Sequence, residues 1–73
     1  MKTEMIIETI KTIIAGRSYG RVTVERNEGA FDVRAFVLNA DGIGRRDTLL
    51  ASLATQQDAI TVQRTLNFAN GRY

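Results

Sequence analysis

The sequence predicts a small α+β domain, a two-layer sandwich in the order α-β-β-α-β. Its three-stranded, mainly antiparallel sheet would carry two helices on one face. Three observations lead there. Isoleucines near the start recur at spacings of three and four, which marks a helix. Two alternating runs flank a short Asn/Gly turn, which marks a β-hairpin. A third alternating run near the end supplies a third strand. The 73 residues make one domain, 1–73, with residues 69–73 expected as a loose tail.

Residues 3–15 read as the first helix. Ile6, Ile10, Ile13 and Ile14 form one stripe and Ile7 widens it, with Thr3 as N-cap and Gly16 as the stop. A strand there would put Glu8 and Thr12 in phase with the isoleucines and spoil a face. Residues 21–26 alternate, with Val22 and Val24 opposite Arg21, Thr23 and Glu25. After Asn27-Glu28-Gly29, residues 30–38 alternate again. Phe31, Val33, Ala35 and Val37 share the core face, opposite Asp32, Arg34, Phe36 and Leu38.

Asn39 to Gly44 is a loop. Asp47 or Thr48 can cap a second helix running to about Gln57, with Leu49, Leu50 and Leu53 as its apolar side. Residues 60–68 carry two patterns. Ile60, Val62, Leu66 and Phe68 alternate with Thr61, Gln63, Thr65 and Asn67, a strand pattern broken by Arg64, which would snorkel to the rim. A helical stripe through Ala59, Val62, Leu66 and Ala69 also exists, with Thr55 as cap. The density of β-branched residues favours the strand. A helix there would instead make the chain α-β-β-(β)-α.

The composition narrows the chemistry. There is no histidine and no cysteine, which removes the commonest general base, the commonest metal ligand and the best nucleophile. Ser18 and Ser52 have no histidine to activate them. The carboxylates are scattered, and Asn39-Ala40-Asp41-Gly42 is better explained as a turn than as part of a calcium loop. No catalytic residue, metal site or cofactor is expected, and a domain this small has little room for a large pocket. Met5-Ile6-Ile7, flanked by Glu4 and Glu8, is neither a signal peptide nor a membrane span, and the lack of cysteine fits the cytoplasm. A core this small gains stability by pairing, so a homodimer, or burial against a larger partner, is an alternative to a free monomer.

Eight of the ten basic residues are arginine, the cation that makes forked contacts to phosphates and carboxylates, while the net charge is only +2. Three segments could bind. The first is Gly42, Gly44, Arg45 and Arg46, read as a glycine turn entering the second helix. Backbone N–H groups and a helix N-terminus there would favour an anion or nucleic acid. Asp47 at the cap would compete for the same position, and a plain turn with solvated arginines is the alternative. The second is the outer face of the sheet, where Phe36 and Leu38 lie among Arg34, Arg21, Asp32, Gln63 and Thr65, the composition of a protein interface; the alternative is a strand covered on both sides, by the tail or a dimer mate. The third is residues 16–21, where arginine beside Tyr19 suits a stacked base or is an ordinary connection.

The order helix, two strands, helix, strand is similar to that of a prokaryotic type II KH domain. Ile43-Gly44-Arg45-Arg46 resembles the start of that family's Ile-Gly-x-x-Gly loop, with Asp47 in place of the second glycine. Thr48-Leu49 and Leu53 resemble the start of the helix that follows. The resemblance implies a module that clamps single-stranded nucleic acid at residues 43–48. In size, in its single compact domain and in its lack of catalytic groups, the chain also resembles small phage and mobile-element proteins that block host defence complexes, the anti-CRISPR type. That resemblance implies a non-enzymatic, stoichiometric inhibitor or modulator of a protein or nucleoprotein complex.

Overall fold

The computed structural model describes residues 3–71. Its element order is α1 (Thr3–Ile14), β1 (Thr23–Asn27), β2 (Ala30–Leu38), β3 (Arg45–Leu53) and α2 (Gln56–Ala69). The fold is α+β, with two helices and a three-stranded antiparallel sheet ordered β1-β2-β3. The third strand and the second helix stand in the opposite order to the α-β-β-α-β expectation. Residues 45–53 form a strand and residues 56–69 a helix.

The first helix forms as its periodicity dictates. Ile6, Ile7, Ile10 and Ile14 are buried, while Ile13 is partly exposed at the margin of the stripe. It includes Thr3, so its N-cap lies outside the described residues. Ala15 (φ 49°) and Gly16 (φ 75°) then reverse the chain in the left-handed region. Arg17 closes the helix end: its Nε and Nη2 donate to the carbonyls of Ile14 and Ile13, both at 3.0 Å. Its Nη1 donates to the Leu38 carbonyl at 3.2 Å, tying α1 to the far end of β2.

The β1–β2 hairpin follows the sequence closely. Glu28 (φ 50°) and Gly29 (φ 82°) supply the paired positive φ that a two-residue turn between twisted strands requires. Thr23 pairs with Arg34 and Asn27 with Ala30. The segment before β1 is less regular. Tyr19 bridges Val37, but the ladder breaks before Thr23. Val22 falls in that break and is fully buried. Its backbone is served by α2: the Val22 N–H donates to Asn67 Oδ1 at 2.8 Å, and Asn67 Nδ2 and Gln63 Nε2 donate to the Val22 carbonyl at 3.2 and 3.1 Å.

β3 pairs with β2 from Leu38–Arg45 to Phe31–Leu53, with a register shift between Val33 and Arg34. Val33 pairs with Ala51 and Arg34 with Leu49, so Leu50 is the extra residue of a bulge. Its side chain is buried in the core. Thr55 caps α2, its Oγ1 accepting from the Asp58 N–H at 3.3 Å. Ala59, Val62, Leu66 and Asn67 are the buried face of that helix. Gln63 and Thr65, expected on the sheet, and Arg64, expected at its rim, are therefore helical residues. Of the tail expected over 69–73, Ala69 ends α2 and Asn70 Nδ2 donates to the Tyr19 carbonyl at 2.7 Å, while residues 72–73 lie outside the described residues.

Both helices pack on one face of the sheet. The core joins Ile6, Ile10 and Ile14 of α1, Ala59, Val62 and Leu66 of α2, and Val33, Ala35, Val37, Leu50 and Leu53 of the sheet. Phe31, expected in the core, is partly buried and packs against it. Among the described residues no element covers the opposite face.

Candidate functional site: the outer face of the sheet

Strand geometry alone decides which residues reach the outer face, because successive side chains alternate. Along β2 these are Asp32, Arg34, Phe36 and Leu38. The register adds Thr23 and Glu25 from β1, and Arg45, Asp47, Leu49 and Ser52 from β3. Phe36 sits on the central strand and is 58% exposed, and Leu49 on β3 is 45% exposed. The two are diagonal neighbours, since Phe36 pairs with Asp47 and Arg34 with Leu49. Diagonal positions on an antiparallel pair are within reach of long side chains. An apolar patch thus runs across the β2–β3 pair, with Leu38, half-buried, at one end.

Polar groups frame the patch. Arg34 Nε donates to both Asp47 oxygens, at 3.2 and 3.4 Å, across the strand pair. That pair is partly exposed, so it is worth about 0–1 kcal/mol and acts mainly to orient the guanidinium. Asp32 closes the other end. It is 5% exposed, and its carboxylate accepts from Ser52 Oγ at 2.9 Å and Asn27 Nδ2 at 3.1 Å. Arg21 is exposed in the ladder break ahead of β1, next to Gly20, whose N–H donates to the Phe36 carbonyl at 2.9 Å. The structure therefore brings Phe36, Leu38 and Arg34 onto one face and sets Arg21 at its margin. Leu49 and Asp47, which the sequence placed on a helix, join them.

The glycine-arginine segment has a different geometry from the one expected. Residues 39–44 link two strands, and no helix starts at Thr48, so the loop leading into a helix that the KH resemblance implies does not form. Gly42 (φ 80°) and Gly44 (φ 72°) take up left-handed turn positions. The turn satisfies itself. The Gly42 N–H donates to the Asn39 carbonyl at 2.9 Å, the Ile43 N–H to Asp41 Oδ1 at 2.8 Å, and Asn39 Nδ2 to the Ile43 carbonyl at 2.8 Å. The N–H groups of Gly42 and Ile43 are thus already engaged, one of them by a carboxylate. Arg45 and Arg46 are both exposed, but as consecutive strand residues they point to opposite faces and do not converge on one phosphate group. In the third segment, Arg17 is occupied by the end of α1, as described. Tyr19 packs against the core and donates its hydroxyl to the Leu66 carbonyl at 3.0 Å. Burial raises the Tyr19 pKa above its ordinary value of 10.0. Neither is free to stack on a base.

Open clefts accompany the fold among the described residues, more room than the length suggested. One, of about 280 Å³, lies between α1 and β3, and one of about 390 Å³ lies between the helices, beside the exposed Lys11–Glu8 pair. Among the described residues no group of three acidic side chains is placed to hold a metal ion. No helix among them is long and apolar enough to cross a membrane. Comparison with protein-family models, with curated proteins and with solved structures finds no match to this chain.

Proposed function

We propose that this chain is a non-enzymatic binding protein, a stoichiometric inhibitor or modulator that docks on a protein or nucleoprotein complex through the outer face of its sheet. The observation that carries the reading is Phe36, more than half exposed toward the C-terminal end of the central strand, beside exposed Leu49 and framed by Arg34 and Asp47. An aromatic residue at the centre of an uncovered patch, with oriented charges around it, has the make-up of an interface anchor and its polar rim. The rest of the molecule supports the same reading. The buried polar groups, Asp32 and Asn67, are engaged in structural hydrogen bonds.

The test is capture from lysate of the source cells, with wild-type protein and a Phe36→Ser variant side by side. The reading predicts a protein partner in fixed stoichiometry, retained at high salt by the wild type and lost by the variant. Recovery of nucleic acid that elutes with rising salt, equally from both proteins, would contradict it, since phosphate contacts weaken steeply with salt.

A further inference from the structure

β3 is an edge strand, and most of its nine residues are exposed. An unpaired edge presents a row of backbone N–H and C=O groups to any extended chain, and proteins usually blunt it with charges, prolines or a covering element. The other edge is short: β1 has five residues, and the break before it is held by Asn67 and Gln63 of α2. The bulge at Leu50 twists β3 but turns the extra side chain into the core. From Thr48 to Leu53 the strand has no charge and no proline. Alongside this uncharged stretch lies the cleft of about 280 Å³, with Met5, Ile6 and Thr9 on the helix side and Leu50 and Leu53 on the strand side. It is below the usual size of a small-molecule pocket, about 300–1,000 Å³, and suits one or two apolar side chains. Met5 at its rim is 66% exposed, a flexible side chain that can adapt to what enters.

The opposite end of β3 is cationic. Arg45 and Arg46 are exposed, and neither forms an ion pair among the described residues, because Asp47 is taken by Arg34. They point to opposite faces of the sheet. Two consecutive acidic residues on an added strand would likewise point to opposite faces, one toward each arginine.

We infer that the β3 edge receives an extended segment of a partner protein as a fourth, antiparallel strand, apolar toward its N-terminal half and with consecutive acidic residues toward its C-terminus. Antiparallel addition continues the sheet's own pattern and sets the segment's apolar half beside the cleft and its acids beside Arg45 and Arg46. A second copy of this chain does not supply that segment, because no two acidic residues are adjacent anywhere in the sequence. The inference rests on the reading of the chain as a protein-binding protein but uses a surface separate from Phe36.

The probe is a synthetic peptide as long as β3, alternating threonine and leucine and ending in two glutamates, titrated into labelled full-length protein and followed by NMR. Shifts are expected at the Met5, Leu50 and Leu53 methyls and at the amides of residues 48–53. Two further peptides carry N-methyl groups on alternate residues, one set in each phase. One should bind like the parent and the other at least tenfold more weakly, because only one phase donates to β3. The double variant R45E/R46E should weaken the parent peptide at least tenfold, while the Phe36→Ser variant should bind it unchanged. No binding, equal binding of both methylated peptides, or a peptide displaced by self-association of the chain would each overturn the inference. Loss of the peptide in Phe36→Ser would move it to the outer face, ending this inference while leaving the proposed function standing. Peptide bound at the edge, together with a Phe36→Ser variant that keeps its captured partner, would do the reverse.

Discussion

At Val22 the chain leaves the sheet ladder inside the core, and Asn67 supplies the hydrogen bonds that the missing strand neighbour would have made. Replacing Asn67 by Leu keeps the volume but strands the Val22 N–H, which then lacks both water and a partner. We expect a loss of about 1–3 kcal/mol, read from denaturant unfolding. The same measurement on Gln63→Leu should show less, because Asn67 Nδ2 still serves the Val22 carbonyl. None of this was legible in the sequence, where Gln63 and Asn67 looked like the polar side of a strand. The only available signal was their spacing of four, which puts two amides on one helix face. Phe36, by contrast, was legible from parity alone: it is out of phase with Val33, Ala35 and Val37, and it is exposed. Tyr19 gives a pH prediction. Its folded pKa is raised, so the stability tied to its neutral form is fully present below the unfolded value near 10.0 and is lost as pH rises through the folded value. Thermal melting should therefore show an alkaline loss of stability that starts near the unfolded value and is smaller in Tyr19→Phe.

Among the elements, α1, β1 and β2 follow their patterns because each has a single clear period. β3 and α2 do not. In β3 the bulge shifts the phase, so the two buried leucines, Leu50 and Leu53, are three residues apart and mimic a helix. In α2 the β-branched residues alternate by accident. Ile60 is only partly buried and Phe68 is exposed, while the residues that pack, Ala59, Val62 and Leu66, are spaced three and four apart. The N-cap was the better guide. Thr55 ahead of Asp58 marks a helix start, and the observed bond between the Thr55 hydroxyl and the Asp58 N–H is the reason. Thr55→Ala should cost about 0.5–2 kcal/mol, measured by denaturant unfolding, with no change in partner binding. A variant that binds its partner less well without loss of stability would place the start of α2 in an interface and contradict this assignment.

On the scale of the whole molecule, the helices claim one face of the sheet, and among the described residues no element covers the other. The expectation of two helices on one face holds, although the elements come in a different order, because either order buries the same apolar side of the hairpin. The outer face was legible only as far as β2 reaches; its β3 half was hidden with β3 itself. This division separates stability from binding. Phe31 packs against the core, so Phe31→Ser should cost about 2–4 kcal/mol, somewhat less than a fully buried aromatic. Phe36→Ser should cost little stability and weaken the partner complex by about 2 kcal/mol, or roughly thirtyfold in Kd. The most direct measurement is the melting temperature and partner affinity of Phe36→Ser on one preparation, with Phe31→Ser as the control. The account predicts that Phe36→Ser melts like the wild type and binds roughly thirtyfold more weakly. A Phe36→Ser variant that melts as low as Phe31→Ser, or that binds as tightly as the wild type, would contradict it.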